Sequence, residues 1–148
     1  MSQAASVIDE LETVLAAGSS DRRRTEILRR VTDLFLGNAE SFDAEQVGVF
    51  DDVLAHLVKQ VETDALAELG AKLAPIDNAP TGIIHTLARH DEIVVAGPVL
   101  AHSTQLTDND LVEIAGSKSQ DHLGAISERK RLATAVTDIL IQRGDTRV

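Results

Sequence analysis

The chain predicts an all-α fold, a right-handed solenoid of helical hairpins, and three observations predict it. The first is a spacing. Leu73, Leu100 and Ile126 lie 27 and 26 residues apart. Leu87, Ile114 and Leu140 repeat those intervals of 27 and 26, and Ala88, Ala115 and Ile141 track them. Self-similarity at a fixed period of roughly 20–50 residues is the mark of stacked supersecondary units. The second observation is the makeup of the core. Hydrophobic residues are 43% of the chain but aromatic ones only 2%: three Phe, no Trp, no Tyr. Such a core is Leu, Val, Ile and Ala, which suits closely packed helices. The third is that apolar stripes at helical spacing are separated by capping residues and glycine. The 148 residues suffice for one domain, with 1–63 as divergent N-terminal helices and 64–90, 91–117 and 118–144 as repeats.

Each element has its own warrant. Residues 4–17 carry Val7, Ile8, Leu11, Val14 and Leu15 on one face, and Gly18 provides a stop. Ser20 or Asp21 opens a second helix through Leu36, striped by Ile27, Leu28, Val31, Leu34 and Phe35 and ended by Gly37-Asn38. Ser41 and Asp43 are cap candidates for a third helix. Its stripe continues from Val47 through Phe50, Leu54, Leu57, Val61 and Leu69 to Leu73. Periodicity allows it to run unbroken or to break near Thr63-Asp64. Residues 21–60 can also be read as a fourth, more divergent hairpin with a longer turn. Asn78 is the expected cap of a short helix beginning near Pro80 and carrying Ile83, Ile84 and Leu87. Residues 92–103 follow with Gly97-Pro98 inside, where proline removes one backbone bond. Thr107 caps the next helix, with Asp108 and Asp110 in its first turn, and Gly116 ends it. Residues 119–128 and 133–143 make the last pair, closed by Gly144. Ile93-Val94-Val95 is β-branched, but its counterparts Leu69–Leu73 and His122–Ile126 are not, so it too reads as helix.

The run from Leu87 through His90, Asp91 and Pro98 to Leu100 resembles the repeat core of HEAT-like helical arrays, as does the run from Leu106 to Leu111. A proline in the first helix of the hairpin is a habit of those arrays, and Pro98 has that place. The N-terminal text from Arg22 to Leu36, followed by Phe50-Asp51-Asp52-Val53-Leu54, resembles a bacterial family known as domain of unknown function twenty-three thirty-six. That resemblance implies a helical-repeat fold and no particular reaction.

Composition narrows the function. There is no cysteine, so disulfides, thiolate metal sites and cysteine nucleophiles are excluded. The first residues, Met1-Ser2-Gln3-Ala4, lack the basic-then-apolar pattern of a secretory signal. No apolar run reaches the roughly 18 residues that span a bilayer. These features fit a soluble, cytoplasmic protein. The net charge of −10 opposes binding to nucleic acid or anionic membrane, and the lack of Trp and Tyr removes the stacking platforms of a DNA-processing repeat protein. No glycine-rich phosphate loop is present, and no nucleophile with base and orienter assembles by spacing. The expectation is a protein-binding module without enzymatic activity or cofactor.

Two surfaces are candidates for the partner. Arg22, Arg23, Arg24, Arg29 and Arg30 gather five of the 14 basic residues, and Arg22, Arg29 and Arg30 share a face with Glu26 and Asp33. Such a face grips an acidic partner or a phosphate; the plainer reading is a solvated face laced with i,i+4 ion pairs. The other surface is the C-terminal edge. Ala133, Val136, Ile139, Leu140 and Ile141 exceed what one neighbouring layer covers, so part of this set, Val136 or Ile139, is expected to be exposed and to form the contact. The text from Arg143 to Val148 resembles that from Arg89 to Val94, so another hairpin would begin where the chain stops. A second copy, giving a homodimer, or further repeats would then cover that edge. Five histidines, His56, His85, His90, His102 and His122, show no metal-ligand pairing. His56-Leu57-Val58-Lys59 loosely matches the surroundings of a phospho-accepting histidine, although Gln60 replaces the small residue expected next. It supplies the alternative reading, a phosphorelay-type signalling component.

Overall fold

A computed structural model describes residues 21–144, so the helix expected over 4–17 lies outside the described residues. Eight α-helices and two short 3-10 turns make up this part of the chain, with no strand among the described residues. They are α1 (Asp21–Asn38), α2 (Ala44–Leu57), α3 (Thr63–Leu73), α4 (Thr81–Ala88), α5 (Ile93–His102), α6 (Asp108–Ser117), α7 (Gln120–Ser127) and α8 (Thr134–Arg143). Packing runs chiefly between alternate helices: α3 against α5, α5 against α7, α6 against α8, with α1 on α3 and α2 on α4. Leu73, Leu87, Leu100, Ile114, Ile126 and Leu140 are all buried in one continuous core. Its three aromatic rings, Phe35, Phe42 and Phe50, form a cluster with centroids 5.0–5.8 Å apart where α1 turns into α2.

The stripe from Val47 to Leu73 belongs to two helices. A 3-10 turn at Val58–Gln60 ends α2, and extended backbone at Val61 and Glu62 precedes α3. The break is held from outside, because Arg24 Nε donates to the Gln60 carbonyl at 3.0 Å. Pro98 lies inside α5 as expected. It cannot donate to the carbonyl of Val94, and Val94 is 54% exposed, so water has access to that residue. Close approach of α3 and α5 requires Gly70: a Cβ there would meet the Val95 carbonyl oxygen at 3.0 Å.

Helix ends are satisfied in two ways, locally and across helices. Asp43 and Gln46 form a reciprocal capping box at α2, and Thr107 and Asp110 form another at α6. Ser119 caps α7. The cap expected from Asn78 is not made. Asn78 Nδ2 donates instead to the Ala39 carbonyl at 2.6 Å, and the N-cap position of α4 is Pro80, with no side-chain bond. Asp51 on α2 takes over, its carboxylate accepting from Gly82 N at 2.8 Å and Ile83 N at 2.9 Å. Gly82 leaves room for this carboxylate: a Cβ would stand 2.7 Å from an Asp51 oxygen, so the Asp51 side chain would have to shift.

Two arginines do the same work at C-termini. Arg129 donates from both terminal nitrogens, at 2.6 Å each, to the carbonyls of Leu100 and Ser103 at the end of α5. Arg143 donates to the Ala115 carbonyl near the end of α6. A cation at a helix C-terminus meets both unpaired carbonyls and the negative end of the dipole.

Candidate partner-binding surface

Helix α1 buries Ile27, Leu28, Val31 and Phe35, and this inward stripe turns Arg22, Arg29 and Arg30 outward, where all three are exposed. Arg22 pairs with Glu26 one turn on, at 3.4 Å. Arg29 reaches across to α3, where its Nε is 2.9 Å from Glu68 Oε2. Lys72 on α3 closes the network, 3.6 Å from Glu68 and 3.4 Å from Asp33. The hydrogen bond from Arg29 holds the Glu68 carboxyl below its ordinary range, with Lys72 adding to the effect. The same bond raises Arg29. The network links α1 to α3 across the surface, and the face carries acids among its bases. Arg22 and Arg29 line a hollow of about 430 Å³ with Thr25, Glu26 and Glu62. Arg30 is not part of that lining.

The C-terminal edge differs from the expectation. Val136 is fully buried, at 0% exposure, and Ile139 is half-buried against the core. The large apolar residue left outside is Ile141, at 75%. Helical phase explains this. Val136 and Leu140, four apart, share the side that α8 presses on α6, whereas Ile141 is about 140° round from Val136 at 3.6 residues per turn. Val136 is thus unavailable to any partner.

The histidines fall into different settings. His56 is exposed in the last turn of α2. His122 is 1% exposed, with Nδ1 2.6 Å from Ser119 Oγ and Nε2 2.8 Å from the His90 carbonyl, so both its nitrogens tie α7 to neighbouring backbone and cap. His85 Nε2 is 3.3 Å from Asp110 Oδ2. Among the described residues no group of three His, Cys, Asp or Glu side chains is arranged to hold a metal ion.

A second charged cluster, missed in the sequence, joins α4 to α6. Arg89 donates to Asp110 at 3.1 Å and lies 3.5 Å from Glu113. Burial pushes the Asp110 carboxyl up, but hydrogen bonds from Thr107 and Arg89 outweigh it and leave Asp110 below the usual carboxylate range. Burial works against the charge of Arg89, yet hydrogen bonds to Asp110 and Glu113 leave it raised. Arg129 is the contrasting case. Desolvation lowers it, because its bonds go to carbonyls and no carboxylate hydrogen-bonds to it. Residue spacing gives no signal for either cluster, since each arginine acts on a helix some twenty to thirty residues away.

Residues 95–148 match the model of a family described as an uncharacterised protein conserved in bacteria, DUF2336. The matched span begins inside α5, so the N-terminal text from Arg22 to Leu54 lies outside it. No curated protein and no solved structure matches the chain. Among the described residues no helix is long and apolar enough to cross a membrane.

Proposed function

We propose that this chain is a non-enzymatic, HEAT-like helical-repeat module that binds a protein partner in the bacterial cytoplasm. The observation that carries the reading is an offset of 26–29 residues that recurs in several of the bonds between helices. Thr104 donates to Asp77 and Lys118 to Asp91, each 27 residues back. Arg143 reaches 28 residues back to Ala115, and Arg129 reaches 29 and 26 back to Leu100 and Ser103. This is the interval of the apolar repeat, so polar links and core spacing point to the same stacked hairpin. The N-terminal links are longer: Arg29 to Glu68, Lys72 to Asp33 and Asn78 to Ala39 each span 39 residues. They support reading α1 and α2 as a first, longer hairpin. A right-handed stack of this kind buries a continuous core and offers an extended surface to partners. That the surface serves binding is an argument from fold.

The exposed side of α1 is the part of that surface we assign to the partner, through Arg22, Arg29 and Arg30. The test is affinity capture from native cells, with mass spectrometry, using the wild-type chain and the variant R22E/R29E/R30E. Exposed pairs such as Arg22–Glu26 and Arg29–Glu68 are screened by solvent and add little to stability. The variant should therefore melt within a few degrees of wild type while losing the partner. Capture that survives the triple substitution assigns the arginine face to fold stability alone.

A further inference from the structure

We propose a second contact on the same module: the hollow between the α1–α2 turn and the α3–α4 turn receives a basic segment of the protein partner, an apolar side chain flanked by Lys or Arg. The proposal rests on the reading of the chain as a protein-binding module. The hollow has a volume of about 500 Å³. Leu36, Ala39, Pro75 and Ile76 supply its apolar lining, and Glu40 and Asp77 supply its charge. No basic residue lines it.

Three features favour a cation beside an apolar group. Glu40 and Asp77 are both exposed and belong to different turns, one on each side of the hollow. Helix α1, 18 residues long, ends here without a basic residue in its last turn. The negative end of its dipole therefore adds to the two carboxylates. The apolar lining takes up the side chain between the charges, in the manner of a pocket that anchors one residue of a segment.

The walls are fixed before any partner arrives. Asn78 bridges the two turns through its bond to the Ala39 carbonyl. Ser41 Oγ donates to the Asn38 carbonyl at 2.8 Å. Thr104 Oγ1 donates to Asp77 Oδ1 at 3.2 Å, and Gln105 Nε2 donates to the Asp77 carbonyl, so the next turn along the chain holds Asp77 in place. A preformed site spares the partner the cost of ordering it.

The experiment is a titration of the full chain, followed by backbone amide NMR, with the peptide acetyl-Lys-Leu-Arg-amide. Two control peptides carry Glu in place of both cations or Ser in place of Leu. Amide shifts confined to residues 37–41 and 76–78, weakened by added salt, are expected from the first peptide. E40Q/D77N should weaken binding at least tenfold; both changes are nearly isosteric, and unchanged amide positions elsewhere will show that the fold is kept. Equal binding of the Glu control, shifts located elsewhere, or full affinity in E40Q/D77N overturns the proposal. So does a concentration dependence of the same amides without peptide, which would place a second copy of the chain in the hollow. Failure here with arginine-dependent capture intact removes the hollow and leaves the proposed function standing.

Discussion

Arg129→Ala should be among the most damaging single substitutions of a charged residue in this chain. The guanidinium makes two bonds of 2.6 Å, to the carbonyls of Leu100 and Ser103, and both of those residues are fully buried. A hydrogen bond to a charged group contributes about 1.5–3 kcal/mol, and a buried acceptor left without a partner costs about 1–3 kcal/mol. Two terms reduce the sum. The desolvation that lowers the arginine's pKa is relieved when the charge is removed, and Arg129 is only half-buried, so water can enter beside the freed carbonyls. A net loss of about 2–4 kcal/mol follows from two charged bonds discounted in this way. At roughly 3–4 °C per kcal/mol for a chain of this size, the melting temperature should fall by about 6–16 °C. Thermal unfolding followed by circular dichroism measures it. Arg131→Ala is the control, because Arg131 is exposed and makes no hydrogen bond or ion pair among the described residues; it should stay within about 0.5 kcal/mol of wild type. Arg129→Lys keeps the charge but not the fork that reaches two carbonyls, so it should fall between the two. If Arg129→Ala melts with Arg131→Ala, the caps drawn across these helices contribute nothing to stability, and the account of how α5 is closed is wrong.

Two further tests address the other cross-helix links. Asp51→Ala removes the carboxylate that caps α4 from α2 and should cost about 1–2 kcal/mol in chemical denaturation, with faster amide exchange at Gly82 and Ile83; unchanged exchange at those two amides would show that α4 closes without it. Asp110 has its carboxyl below the usual range, so its contribution is complete above the ordinary carboxylate value of about 3.9 and is lost as the pH falls through its lower value in the folded state. Comparing wild type with Asp110→Asn between pH 5 and pH 2.5, the wild type should lose stability more steeply below about pH 4, and parallel curves would exclude a role for this carboxyl.

The sequence made the helices legible and left their closures obscure. Apolar spacing found the buried faces of α1, α3, α5 and α7 because burial repeats at 3.6 residues and needs only neighbouring letters. Thr107 and Asp110 were readable for the same reason, since a capping box is complete within four residues. Asn78 was misread as the cap of α4 because a local candidate hid the distant one: Asp51, on another helix, had no pattern linking it to Gly82. Val136 was misplaced at the edge because counting apolar residues ignores their angle around α8. The arginine face was visible as a cluster, but its pairing with Glu68 and Lys72 depends on how α1 lies on α3. No run of letters encodes that crossing.

The short reach of the cross-helix bonds bears on how the chain comes into being. Among those described here, the side-chain hydrogen bonds that join different helices of the fold span between 21 and 39 residues. Among the described residues no such bond ties α1 to α8. Chains whose contacts are this local close their loops at little entropic cost and fold fast for their size. For the described bonds both partners are present once roughly forty further residues have left the ribosome, a reach compatible with assembly during synthesis.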